Sequence, residues 1–330
     1  MIYTFLQRNF ITAVILLLLI AVALWLPYSI NPVMDMHVYD SYPMPLYKPL
    51  LQIFQYNPYI GLLLQFACIG FSIFVLSNIN SQFRLIEKRS SFYISLGILF
   101  AVLFPEYQQF NPMMFAGMLV LLGFFSLFKL YKNEYNLRYV YEAGLLFSTA
   151  GLIYINVYFL TLIVFCAIII LIPFNWRQWV SAIFGIATPL FFIFSWILVF
   201  NKFDYFLFIL QHNTIFVHNV SKSLSTFSYL NMIIIVFFAL LFCISIGFVF
   251  FGNTVKKIVI HKYYALLLLF FVFAALCYIA IPWVGVDIFY FCILPAIFFI
   301  ANYITNLRSR WLPDVLSIVM FVLVLIAKFI

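Results

Sequence analysis

Eleven times along the 330-residue chain the sequence runs through Leu, Ile, Val and Phe with few charges, for stretches of 13 to 23 residues. About twenty apolar residues in a helix cross the hydrocarbon core of a bilayer. Inside that core every backbone N–H and C=O needs a partner within the protein, so a spanning segment is either a helix or a strand of a closed barrel. Barrel strands alternate apolar and polar residues with period two, whereas these runs are continuously apolar. The sequence therefore predicts an all-α, polytopic membrane helical bundle of about 11 transmembrane helices. Composition agrees: 67% of residues are hydrophobic and 8% charged, against about 25% charged in a soluble domain.

The predicted spans are 10–27, 59–79, 92–104, 113–131, 141–155, 157–173, 179–200, 229–251, 263–282, 286–305 and 314–330, forming a single integral membrane domain over 1–330. Three of them, 92–104, 141–155 and 157–173, fall short of the ~20 residues that cross comfortably. The first run has a signal-peptide-like feature, the small residues Ala21 to Ala23 after Arg8. Its length and the Trp25 and Pro27 that follow favour a retained span over a cleaved leader.

Lysine and arginine set the orientation, because positive charge is retained on the cytoplasmic side. A cytoplasmic N-terminus puts thirteen of the seventeen inside and leaves Lys48, Lys202, Lys222 and Lys328 outside, with the C-terminus outside as well. The net charge of +8 is thus accounted for by topology, without a nucleic-acid partner. The five cysteines all lie within spans and lack metal-type spacing, so they read as small packing residues.

Polar residues gather in two outer segments, 28–58 and 201–228. In the first, "LYKPLLQIFQYNPY" places Leu46, Leu50, Ile53 and Phe54 on one helical face; in the second, "FDYFLFIL" is apolar enough to rest on a bilayer. Each is expected to contain an interfacial helix. A smaller outer turn, "FPEYQQFNP", separates the third and fourth spans.

Nucleotide-binding, metalloprotease and nucleophile-elbow motifs are absent, as is an ionisable group at mid-span of the kind ion-coupled carriers keep. Five of the nine acids sit at the outer border: Asp35, Asp40, Glu106, Asp204 and Asp287. Border carboxylates have the chemistry of a general base for an incoming hydroxyl, or of ligands for a divalent cation that neutralises a lipid phosphate. Asp35, Asp40 and Glu106 are the candidate catalytic residues. His37 between the aspartates, Lys48, Lys202, His212 and His218 are the candidate substrate-binding residues. No cofactor is required by any motif, and no metal ligand set is specified. All seven arginines are cytoplasmic in this topology, which leaves lysine to contact an outer phosphate.

Two resemblances follow from these residues. The order of a long first outer loop with Asp35 and Asp40, then Glu106 between spans three and four, resembles the C-type-fold membrane glycosyltransferases. That family has eleven to thirteen helices and acidic residues in those loops, and uses polyprenyl-phosphate-linked sugars outside the cytoplasm. The run from "NINSQFRLIEKRSS" through "LFPEYQQFNPMMFAGM", with "PFNWRQW" and "GIATP" beyond it, is similar to an uncharacterised multi-pass inner-membrane family of Gram-negative bacteria over residues 60–200. The resemblances imply an inner-membrane envelope protein handling a polyprenyl-phosphate-linked glycan. The competing expectations are a non-catalytic subunit or carrier working with a membrane or envelope partner protein, and a small-solute transporter.

Overall fold

A computed structural model describes residues 43–86, 92–103, 111–131, 136–172, 174–211, 229–252, 258–280, 288–307 and 311–329. The expected first span, 10–27, lies outside the described residues. Among the described residues the regular secondary structure is entirely helical. The helices are α1 (Lys48–Tyr56), α2 (Pro58–Phe83), α3 (Phe92–Leu103), α4 (Pro112–Leu130), α5 (Leu137–Ile153), α6 (Val157–Leu160), α7 (Leu162–Leu171), α8 (Trp176–Val199), α9 (Phe203–Gln211), α10 (Tyr229–Phe251), α11 (Ile258–Ala280), α12 (Phe289–Asn306) and α13 (Leu312–Phe329). Among them α2, α4, α8 and α11 are long and apolar enough to cross a membrane, with three shorter apolar helices at Val157–Leu171, Val236–Phe251 and Tyr290–Asn306.

Among the described residues four helices are capped by an asparagine side chain. The side chains of Asn57, Asn111, Asn136 and Asn175 accept hydrogen bonds from the backbone N–H groups of Tyr59, Met113, Arg138 and Arg177, at 3.0 to 3.1 Å. Such a cap satisfies one of the first-turn donors that a helix leaves open. At Asn57 and Asn111 the next residue is proline, whose missing N–H costs nothing at the first helical position. These caps explain where observed boundaries depart from the hydropathy pattern. α5 starts at Leu137 rather than 141 and α8 at Trp176 rather than 179, because polar residues such as Arg138 and Arg177 belong to the first helical turn. The expected 157–173 span is interrupted at Thr161, whose hydroxyl donates to the Tyr158 carbonyl.

α4 is central and α8 peripheral: 72% of the α4 span is buried but only 22% of the α8 span. α4 runs antiparallel to α5, with Phe124 edge-on to Phe147 and, on its other flank, to Phe270 of α11. α8 attaches mainly along α5, where Gly144 and Gly185 bring the two backbones together. A Cβ on Gly144 would stand 2.9 Å from the Ala182 carbonyl oxygen, and one on Gly185 would fall on the Tyr141 carbonyl. Three hydrogen bonds flank this crossing: Ser148 Oγ to the Ile186 carbonyl (2.8 Å), Ser181 Oγ to the Leu137 carbonyl (2.9 Å), and Tyr141 with Thr188 between hydroxyls (3.0 Å). Small residues spaced four apart, Gly144 with Ser148 and Ser181 with Gly185, are the means by which helices pack without a hydrophobic driving force between them.

At one end of the bundle the tails of α2 and α4 meet the head of α11. Phe83 lies edge-on to Phe125, Phe128 and Tyr263. The Tyr263 hydroxyl donates to the Phe128 carbonyl at 2.9 Å, and the Tyr264 hydroxyl to the Leu85 carbonyl at 3.0 Å. The first satisfies a carbonyl that the end of α4 leaves open, and the second ties down the chain just beyond α2.

Candidate functional site

α1 and α9 stand at the other end, in the two polar segments 28–58 and 201–228. At nine residues each they are about 14 Å long, well short of a bilayer crossing. α1 is amphipathic, but its face differs from the expected one: Leu51 is buried, Leu46, Leu50 and Phe54 are half-buried, and Ile53 is exposed with Gln52 and Gln55. Its lead-in is pinned by the Leu46 N–H, which reaches the Leu152 carbonyl at the end of α5. α9 is reached through a tight reversal at the end of α8. Asn201 takes the left-handed conformation (φ 50°), a state asparagine tolerates better than most side chains. There the N–H of Lys202 returns to the Ile197 carbonyl and that of Asn201 to Leu198, closing off carbonyls at the α8 terminus.

The two segments meet through Lys48 and Tyr205. The Lys48 ammonium lies 3.5 Å from the Tyr205 hydroxyl and 5.1 Å from its ring centroid. Lys202 turns the other way, 5.2 Å over Trp196 and 6.0 Å from Phe200. Both cations therefore rest against aromatic faces, whose quadrupoles attract them. An ammonium carries three donors, so a contact with one hydroxyl leaves Lys48 capacity for a phosphate oxygen. Asp204 in the first turn of α9 is an exposed carboxylate at this end. Around the pair, Ile53, Tyr56, Phe203 and Phe208 are exposed.

Of the residues expected to form a site, Lys48 and Lys202 are described, and they rest on different elements: Lys48 on Tyr205 of α9, Lys202 on Trp196 and Phe200 at the end of α8. Asp35, His37, Asp40, Glu106, His212 and His218 lie outside the described residues. Among the described residues no three His, Cys, Asp or Glu side chains gather as a metal site would require. Tyr205 is the residue that sequence reasoning missed. Its only signal was an aromatic beside the aspartate in "FDYF", and nothing local links it to a lysine 157 positions earlier.

A cavity of about 70 Å³ lies inside the bundle between α2, α3, α4, α11 and α12, with Ile73, Phe100, Val120 and Ile297 in its walls. Its bordering Ser72 hydroxyl is committed to the Cys68 carbonyl at 2.7 Å. Its walls are mainly apolar, with Ser72 and Tyr290 the lining residues that carry a polar side-chain atom. No protein-family model, curated protein or solved structure matches the chain.

Proposed function

We propose that this chain is a bacterial envelope protein of the inner membrane that acts on a lipid-phosphate-linked glycan at the outer face, as a glycosyltransferase-like enzyme. The observation that carries the proposal is the Lys48–Tyr205 bridge, which draws α1 and α9, from the two polar segments, together at one end of the bundle. An enzyme that uses a lipid donor needs polar chemistry beside an interfacial, aromatic-rich surface, and α1 and α9 supply the surface. In this proposal Asp40 or Asp35 is the general base or holds a divalent cation, and Glu106 is its partner. Lys48 faces the donor phosphate and Lys202 reaches it by swinging off Trp196 and Phe200, with His37, His212 and His218 lining the polar substrate. Each step would need only proton abstraction from an acceptor hydroxyl and charge neutralisation at the phosphate leaving group.

The contacts between helix ends support a chain that alternates across the membrane with about eleven passages. Lys48 with Tyr205, Leu46 with Leu152, and Tyr154 with Phe291 all join ends assigned to the outer side. Tyr264 with Leu85, Tyr263 with Phe128, and Ser181 with Leu137 all join ends assigned to the inner side.

The alternative is a non-catalytic subunit or carrier for lipid-linked glycans that works beside a partner protein. It draws on α8, which leaves Phe184, Phe191, Phe192 and Val199 at least 63% exposed along one helix. The test is to compare envelope glycans in cells carrying Asp40→Asn or Glu106→Gln at equal protein level. Loss of a glycan product in both variants is expected of the enzyme. Wild-type glycans in both variants would remove the catalytic proposal and leave the carrier.

A further inference from the structure

We propose that the corner where α2, α4 and α11 meet is a binding site for the phosphate headgroup of an anionic phospholipid. It is a different site, at the opposite end of the bundle from Lys48 and Tyr205. Among the described residues this corner carries Arg84 after α2, Lys129 at the end of α4, Arg138 at the start of α5 and Lys262 at the start of α11, against one carboxylate, Glu142. That carboxylate is already engaged, since it accepts from Arg138 Nε at 2.5 Å. The fold brings these helix ends to one place. Phe83, the last residue of α2, touches Phe128 and Tyr263, and Arg84 follows it directly. Tyr264 holds the next residue, Leu85, by its carbonyl.

Two cations here rest on aromatic rings. Lys129 Nζ lies 4.0 Å over Phe125 and 5.7 Å over Tyr139, and Lys262 Nζ lies 5.4 Å over Tyr131. Their stems are half-buried among apolar neighbours, the arrangement of side chains that keep their charge at headgroup depth. Arg84 holds a left-handed backbone (φ 51°) that is costly for a residue with a Cβ. Asn80 holds it there through two bonds, accepting from the Arg84 N–H at its carbonyl and from the Ile86 N–H at its side chain. This fixes Arg84 beside the aromatic pillar.

The occupant follows from charge and depth. Four described cations against one carboxylate call for an anion. Its setting at the ends of membrane-length helices, among tyrosines, calls for one that resides at the bilayer surface. Basic pockets between helix ends bind such headgroups. A lipid with two phosphates, such as cardiolipin, fits the cations Arg84, Lys129 and Lys262 on three helix ends better than a zwitterion does.

The experiment uses the full chain purified in neutral detergent. Thermal unfolding is followed by circular dichroism while cardiolipin, or phosphatidylcholine with the same acyl chains, is titrated in. Cardiolipin is expected to raise the midpoint by several degrees and phosphatidylcholine not to do so, with the difference shrinking at high salt. Arg84→Gln with Lys262→Gln is expected to raise the half-saturating cardiolipin concentration at least tenfold. Arg177→Gln, an exposed cation on peripheral α8, is expected to leave it unchanged. Should the double variant fail to fold, native mass spectrometry of the unaltered protein gives the same reading, with cardiolipin adducts expected to outcompete phosphatidylcholine at least tenfold. Equal stabilisation by the two lipids, equal adduct formation, or an undiminished cardiolipin preference in the folded double variant would overturn the proposal. So would an acidic protein that co-purifies and occupies the corner while lipid has no effect.

Discussion

Replacing Gly144 by alanine tests whether the α5–α8 crossing holds α8 in the bundle. The added Cβ would stand 2.9 Å from the Ala182 carbonyl oxygen, where ordinary contact begins at 3.4 Å, so the backbones must part by the difference, 0.5 Å. That movement stretches the three flanking bonds, now 2.8 to 3.0 Å, to the edge of hydrogen-bonding distance. Overpacking costs about 1–3 kcal/mol, and weakening hydrogen bonds between membrane helices adds about 0.6 kcal/mol for each one lost. Alanine returns up to about 1 kcal/mol through helix propensity. The expected balance is a destabilisation of about 1–2 kcal/mol, five- to thirtyfold in the folding equilibrium. It is measured by titrating the purified protein with denaturing detergent and following helicity. Gly70→Ala and Gly247→Ala are the controls, because nothing lies within 4 Å of the Cβ at either position; they are expected to be neutral or stabilising. If Gly144→Ala proves as stable as Gly70→Ala, the close backbone approach is not what seats α8.

Two further outcomes are expected. A double-mutant cycle on Lys48→Gln and Tyr205→Ala should give a coupling of about 0.5–1 kcal/mol, the size of a partly exposed cation–aromatic contact; additive effects would mean that the two polar segments do not support each other. In a cysteine-free background, Tyr56→Cys (parent residue 92% exposed) should react with a membrane-impermeant thiol reagent added outside intact cells, and Phe174→Cys (83% exposed) only after the membrane is broken. Equal reactivity of both from outside would refute the alternating topology.

Helix existence was plain in the sequence, because continuous apolar runs admit little else in a bilayer. The ends were less plain. Hydropathy stops at the first charge, whereas the Asn136 and Asn175 caps carry the helix one turn further, and α11 begins at Ile258 with His261 and Lys262 inside it. The amphipathic period in "LYKPLLQIFQY" was enough to find α1. Centre and periphery were not legible at all. α4 and α8 are both long apolar helices, yet one is wrapped by protein and the other is mostly exposed, since lipid and protein interior reward the same side chains. The decisive difference lies in small residues such as Gly144, Ser148, Ser181 and Gly185, whose pairing depends on which helices meet. For the same reason Lys48 was found as a cation of the first polar segment, but its partner Tyr205 was not.

The Gly144–Gly185 contact also makes α8 a lever. Its fulcrum is at Gly185, and the arm to Val199 is fourteen residues, about 21 Å. The turn at Asn201 joins that arm to α9 through two backbone hydrogen bonds, so α9 follows wherever the arm points. A tilt of about 5° at the fulcrum would carry the tip about 2 Å, as the helix length dictates. That is enough to part Lys48 from Tyr205, which stand 3.5 Å apart at the arm's far end. A methyl group added at the α5–α8 crossing would thus be felt about 21 Å away, as a polar segment aimed in the wrong direction.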